Sequence, residues 1–521
     1  MAFVPNGTIR LLAGVPLDNS YTHTLKYGSV GAQTAAFTAK TKKVYEHCTY
    51  IRETSRIRIP DNYNSVIMCN YMMYQNADFG NKWFYAFIVG VYYINDNATE
   101  IEFELDVMQT WAFDYTILPG FIERNHTATD VIGENTVTEP VGVNRYHLHD
   151  SYSTIPTMFQ DWDVVMYATF DPTTFAYYGG DGNNGIWSGL DQTPIGKVRI
   201  TNSNGVISYS WITNPRATLT DLVTNHADDV PGVVAIVMRP SHFSSHPTNS
   251  ITINKPQTLN NLHNKKCLTY PFTKLVVTDG NGGQRDYAFE EFTGNATEAH
   301  FFINSDRAPN ESIVCTPTLY RGIVMDITQS IVLSGFPQCS WVSDSFQTYL
   351  ATNQSNMMLT GALAAGQLVG GAALTASGGG SAVGVGMIAG GLTQVAGLIG
   401  GIYQASKMPN QAHGSVTNSS FFTQGKKGFE FFTMIPYSED LRVIDEFFDM
   451  YGYAIHRVGT PNTDVRPHWC YVKMVSSAIK PSGIDGLPAS DMRKIEAVLN
   501  TGVTFWKDMA NVGNYSLNNT V

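Results

Sequence analysis

Charge is what this sequence has least of. Asp, Glu, Lys and Arg make up 15% of its 521 residues, against about 25% in an average soluble domain. The balance is acidic, −11 net, which argues against a protein that holds nucleic acid by neutralising phosphates with clustered Lys and Arg. The six cysteines, Cys48, Cys69, Cys267, Cys315, Cys339 and Cys470, stand far apart with no Cys-x-x-Cys pair. Neither a disulfide framework nor a zinc site is expected from them, and they read as reduced packing residues. No basic stretch followed by an apolar run comes after Met1, so no secretory leader is expected and the chain is expected to be made in a cytoplasm.

Signatures of catalysis are missing too. There is no Gly-x-Ser-x-Gly elbow, Walker A loop or His-Glu-x-x-His run. His242 and His246 have metal-ligand spacing, but Pro240 and Pro247 are expected to forbid the helix that would bring both imidazoles onto one face. His147 and His149, next to Asp150, would share one side of a strand, without an identifiable third ligand. Glu290-Glu291 and Asp445-Glu446 read as solvated carboxylates. No catalytic residue, metal or cofactor is expected, and the chain is not read as an enzyme.

What is present is strand patterning. WFYAFIVGVYYI, a turn at Asn95-Asp96-Asn97, and TEIEFELDV form a predicted hairpin, with Ile101, Phe103, Leu105 and Val107 on one face. Further hairpins are predicted over KVRIT-NSNG-VISYSW and KLVVT-DGNGG-QRDYAFEEF, at Asn204-Gly205 and around Asp279-Gly280-Asn281. Helices read as few and late. Ser438 starts one as N-cap, Leu441, Ile444, Phe447, Phe448 and Tyr451 recur at helical spacing, and Gly452 closes it. A second runs from Ser490 through Ile495, Val498 and Leu499 to Gly502. The fold class expected is mainly β, with sandwich or barrel domains and a few packing helices; length alone suggests roughly two to four domains.

The sharpest compositional break is a stretch with no charge at all. From 345 to 406, 62 residues hold no Asp, Glu, Lys or Arg, where 15% would give about nine. Fourteen Gly and nine Ala fall in the 41 residues 361–401, and Ser377-Gly-Gly-Gly-Ser381 separates two apolar arms, 357–374 and 383–403. As helices these arms would extend about 27 and 31 Å, close to the roughly 30 Å of a bilayer core. Their apolar side chains are Met357, Met358, Leu359, Leu363, Leu368, Val369 and Leu374, then Val383, Val385, Met387, Ile388, Leu392, Val395, Leu398, Ile399 and Ile402. Many glycines dilute them, so insertion is expected to be marginal and conditional. Gly366 and Gly370, Gly386 and Gly390, and Gly397 and Gly401 have small-xxx-small spacing, which suits close helix association in lipid. Buried filler between domains and a flexible linker are the other readings, and exposed surface of this kind has to be covered until it is used.

Several segments resemble one family. They are MAFVPNGTIRLLAGVP at the start, Tyr74-Gln-Asn-Ala-Asp-Phe-Gly-Asn-Lys-Trp-Phe-Tyr-Ala-Phe87, Phe103-Glu-Leu-Asp-Val-Met-Gln-Thr-Trp111, Phe121-Ile-Glu-Arg-Asn-His126, Tyr451-Gly-Tyr-Ala-Ile-His-Arg-Val458, Asn500-Thr-Gly-Val-Thr-Phe-Trp506 and Val512-Gly-Asn-Tyr-Ser516. In this order they are similar to the tail knob, or distal tail tube, proteins of small short-tailed phages of the Picovirinae type. The resemblance implies a homo-hexamer whose ring-forming tube domain encloses a lumen, with an inserted β-rich knob domain and a long apolar loop. It implies a plug that leaves the lumen and enters the host cell membrane, forming a channel for genome ejection. It further implies contact with a proximal tail protein (lower collar or tube), DNA passing without specific binding, and a place at the virion tail tip. On that pattern 1–145, 321–350 and 407–521 form the tube domain, 146–320 the knob, and 351–406 the membrane-active loop. The alternatives are an adhesin that binds cell-wall glycan through loops at 170–190, and a cell-wall hydrolase.

Overall fold

The computed structural model describes residues 7–340 and 428–521, apart from 49, 52–53, 78–79, 169, 172–175, 178–190, 204–205, 227–232, 247, 260–261, 306–311, 335, 337 and 483–485. It is mostly β, with few helices. The chain forms two compact units: one from 1–144, 258–268 and 438–521, the other from 145–257 and 269–437. Of the expected tube segment 321–350, the described residues between 321 and 340 belong to the second of these.

The first unit is built on a seven-stranded antiparallel sheet in the order Thr41–Glu46, Gly7–Leu12, Tyr71–Asn76, Phe84–Asn95, Ala98–Leu105, Arg56–Ile59, Tyr50–Ile51. The hairpin expected across Asn95-Asp96-Asn97 is its centre. Ile101 and Phe103 face inward and are buried, as alternation requires. Phe37, Tyr71, Tyr85 and Phe87 pack as one aromatic group, with ring centroids 4.8 to 5.4 Å apart between neighbours. Phe37 comes from a helix, Val30–Thr38, capped by the Ser29 hydroxyl accepting from Ala32 N–H. Helices are therefore not confined to the end of the chain. This one lacks an apolar stripe because its only buried side chains are Gln33 and Phe37, and Gln33 is held by hydrogen bonds to Gln109.

A second sheet of that unit runs His23–Leu25, Val503–Trp506, Trp469–Val475, Gly120–Asn125, Tyr453–Gly459, with only the first pair parallel. The late helices pack here. Ser438–Tyr451 ends at Gly452, whose φ of +63° is glycine territory; a Cβ there would lie 2.4 Å from Asn125 O. Ala489–Thr501 ends at Gly502, φ +105°. Trp469, Trp506 and Tyr515 form a mutual triad at 5.0 to 5.2 Å.

The second unit holds a four-stranded sheet (Tyr146–Ser153, Glu430–Pro436, Lys274–Thr278, Gln284–Tyr287), a five-stranded one (Val206–Thr213, Asp191–Ser203, Asp161–Ala168, Val233–Pro240, Gln338–Ser340) and another five-stranded sheet around Glu298–Ser305 and Ile313–Tyr320. Both other expected hairpins are present, Asp191–Ser203 with Val206–Thr213 and Lys274–Thr278 with Gln284–Tyr287. In the latter turn Asp279 Oδ1 accepts from Asn281 and Gly283 N–H. One aromatic and aliphatic core, including Phe159, Trp162, Phe301, Phe336, Phe429 and Phe431, is shared by these sheets. Cys69, Cys315 and Cys470 are buried free thiols.

Candidate functional site

The charge-free stretch 345–406 lies outside the described residues, and with it every membrane-loop residue from Met357 to Ile402 and the six association glycines from Gly366 to Gly401. What is described is how the chain leaves for that stretch and how it returns. Gln338–Ser340 pairs antiparallel with Val233–Pro240, placing Val237 opposite Gln338 and Ala235 opposite Ser340. Just before it, Phe336 is buried with its ring 5.6 Å from Trp162.

The returning chain enters at Gly428. Its φ of +153° and the closeness of Ile155 and Phe159, 2.8 and 3.0 Å from where a Cβ would lie, leave no room for another residue. Phe429 follows, with no exposed surface, and its ring meets Phe159 edge-on at 6.2 Å. Phe159 in turn meets Trp162 at 6.3 Å. A relay of four rings, Phe336, Trp162, Phe159 and Phe429, therefore ties both stems to one core. Buried aromatic contacts of this type are worth about 0.5–1.5 kcal/mol each beyond the area they bury. Polar groups complete the return stem: Thr154 exchanges hydrogen bonds with Phe429, and Glu430–Pro436 continues as a central strand between Tyr146–Ser153 and Lys274–Thr278.

A second constellation lies within the first unit, where the strap 258–268 crosses helix Ser438–Tyr451. Asp445 accepts from the backbone N–H of His263 and Asn264, both at 2.9 Å. Asn264 Nδ2 donates to Asp445 Oδ1 at 3.0 Å and to Asp449 Oδ1 at 2.7 Å. Burial pushes the Asp445 carboxyl up, and the Asp449 carboxylate, 2.8 Å from His263 Nδ1, holds that imidazole above its usual range. Further along the strap, Lys266 Nζ donates to Val137 O at 2.9 Å and pairs with Glu139, whose other oxygen takes Arg124. The Glu139 side chain is 1% exposed, so this triad is a buried ion network. Burial first, then the Arg124 guanidinium, pushes the Lys266 ammonium down to about 7, while contact with Glu139 favours its charged form.

The histidine motifs resolve differently from expectation. His242–Ser245 forms one helical turn in spite of its flanking prolines. Pro240 precedes the cap residue Ser241 and Pro247 falls beyond the cap residue His246, so neither occupies a position where an interior N–H is required. The two rings stack 5.4 Å apart, and His242 also contacts Asn249. Among the described residues no third metal-ligating group joins them. At His147 and His149 the ladder shifts register between Leu148 and Asp150, a bulge that breaks the two-residue alternation, and the His147 ring packs on Tyr437 at 5.3 Å. Most of the loop at 170–190, the expected glycan contact, lies outside the described residues. What the sequence reading missed is the strap: Asp445 and Asp449, four apart on a helix face, were its only local signal.

Residues 239–520, which are 282 of the 521, match the family model described as Bacillus phage phi29, tail knob protein gp9, C-terminal domain. The chain belongs to the phage tail knob protein family. Residues 5–116 match a further model, the N-terminus of the caudoviral major tail protein. Curated relatives include the tail knob protein gp9 of Bacillus phage B103, 23% identical over 607 residues, and that of Bacillus phage phi29, 24% identical over 613 residues; each alignment covers 100% of both chains. Among solved structures, the tail knob protein gp12 of bacteriophage C1 matches with a TM-score of 0.60 at 14% identity, covering 99% of each chain. That likeness is one of fold. As a tail knob family member the chain is a structural component of the virion tail. Among the described residues, no helix is long and apolar enough to cross a membrane.

Proposed function

We propose that this tail knob protein forms the distal, DNA-conducting tip of the tail as a homo-hexamer, joined to a proximal tail protein. Its segment 351–406 blocks the lumen before infection and enters the host cell membrane when the genome is ejected. The observation that carries this reading is the pairing of a 62-residue charge-free stretch with stems fixed at both ends in one core. A linker would not need two buried aromatic stems, and filler would not need a Ser-Gly hinge between two arms of bilayer length. An acidic chain also suits a conduit, since like charge keeps DNA from sticking to the wall. Composition supports membrane entry by several copies together: the arms carry apolar side chains and small-residue spacings that favour association in lipid, and are too glycine-rich to insert alone.

Deletion of 357–403 tests the reading. Particles carrying it are expected to assemble and adsorb yet to deliver no DNA and to release no dye from liposomes. Normal DNA delivery by such particles would sink the inserter role.

A further inference from the structure

We infer that His263, Asp445 and Asp449 form a binding site for a divalent transition-metal ion, with Zn2+ the best fit to the donor set. The site rests on a three-point geometry. Asp445 and Asp449 stand one turn apart on helix Ser438–Tyr451 and so present their carboxylates on one face. The strap lays His263 over that face, and one ligand atom from each of the three residues lies within 4.8 Å of the other two. A cation about 2.0–2.2 Å from each of three evenly spread donors needs them about 3.8 Å apart or less, so the three side chains would close in slightly around the ion.

The hydrogen bonds leave the required lone pairs in place. A carboxylate oxygen has two acceptor sites. Asp445 Oδ2 takes one bond, from His263 N–H, and Asp449 Oδ2 takes one, from His263 Nδ1. On metal binding the imidazolium releases its Nδ1 proton to solvent while Nε2 keeps its hydrogen, and the ring rotates to direct the freed Nδ1 lone pair at the ion. Both carboxylates are meanwhile oriented by Asn264, whose amide nitrogen bridges them, and by the strap's own backbone N–H groups. Ligands fixed in this way by a second layer of hydrogen bonds are characteristic of protein metal sites.

Charge points the same way. Asp130 is tied to the group through the Tyr453 hydroxyl, which donates to Asp130 Oδ1 at 2.7 Å and contacts Asn264 Oδ1 at 3.2 Å. Three carboxylates therefore gather around Asn264, and the ion pair made by Asp445 or Asp449 among the described residues is the one from Asp449 to His263. An imidazole nitrogen with two carboxylates favours Zn2+ or Mn2+ over Mg2+ and Ca2+, which prefer oxygen alone. The His263 side chain, 45% exposed, leaves an entry path and room for water as a further ligand. The ion would rivet the strap to the helix inside the first unit.

The test uses full-length protein stripped with chelator and titrated with ZnCl2 by calorimetry, with melting followed in parallel. Expected are one ion per chain with carboxylate- and histidine-dependent affinity, a Tm that climbs with Zn2+ concentration, and a loss of affinity of tenfold or more in His263→Ala and in Asp449→Asn. A His242→Ala/His246→Ala variant is expected to keep the stoichiometry. If either ligand variant weakens the fold, Co2+ absorption read on folded material at low temperature replaces the melting assay, and the visible band is expected to vanish in His263→Gln. The proposal is overturned by absence of binding to the wild type. It is overturned equally if His263→Ala binds as tightly as wild type, or if the ion follows His242 and His246.

Discussion

Thr154 and Phe429 exchange three hydrogen bonds. Thr154 N–H donates to Phe429 O at 3.0 Å, the Thr154 hydroxyl donates to the same oxygen at 2.9 Å, and Phe429 N–H donates back to that hydroxyl at 2.8 Å. The two residues are 275 apart in sequence, and Thr154 has no exposed surface. Here the chain returning from the charge-free stretch is locked into the fold.

Thr154→Val keeps the shape and removes the hydroxyl, leaving Phe429 N–H buried without its acceptor. Loss of about 1–3 kcal/mol from the second unit is expected, with Thr154→Ser close to wild type. Urea unfolding followed by tryptophan fluorescence measures it; equal midpoints for Val and Ser would refute the lock.

The Glu139 carboxylate neutralises two buried cations at once, Arg124 and Lys266. Glu139→Gln leaves both uncompensated, and a loss of about 3–5 kcal/mol is expected. Adding Lys266→Met to that variant removes one orphaned charge and is expected to restore part of the stability. A double-mutant cycle in which the two changes simply add would show that the residues are not coupled.

Asp106 is buried, caps the turn Val107–Thr110 and accepts from the Tyr71 hydroxyl at 2.7 Å. Burial pushes its carboxyl up from 3.8 to about 6. The folded state therefore binds the proton more tightly than the unfolded chain. Its contribution is fully present below about pH 3.8 and is lost as pH rises through about 6, a change of roughly 2–3 kcal/mol. In Asp106→Asn, which still offers an acceptor to Gln109 N–H, the slope of stability against pH over that window is expected to flatten. An unchanged slope would assign it to other groups.

How much of this was readable in the sequence depended on how local the cause was. Helix Ser438–Tyr451 is legible from Ser438, the helical spacing of its apolar residues and Gly452, because these signals are set by neighbouring residues. Hairpins with Gly or Asn turns were equally legible. Helix Val30–Thr38 was not, since it buries a glutamine satisfied by Gln109, 76 residues away, in place of an apolar stripe. The single turn at His242 runs against the expectation from its flanking prolines because Pro240 lies before the N-cap Ser241 and Pro247 after the C-cap His246, where proline breaks no helix. The strap was invisible for a related reason: His263 and Asn264 acquire their meaning from Asp445 and Asp449, more than 180 residues on. Family resemblance supplied the tail assignment, which no single residue pattern carries.

The two stems differ in how they would bear a pull. Glu430–Pro436 is bonded along both edges, over seven residues to Tyr146–Ser153 and five to Lys274–Thr278, so tension applied at Phe429 loads two ladders in shear together. Gln338–Ser340 is bonded, among the described residues, by three pairs along one edge. Under the same load, Gln338–Ser340 would therefore open at a lower force than Glu430–Pro436, whose two ladders have to fail together.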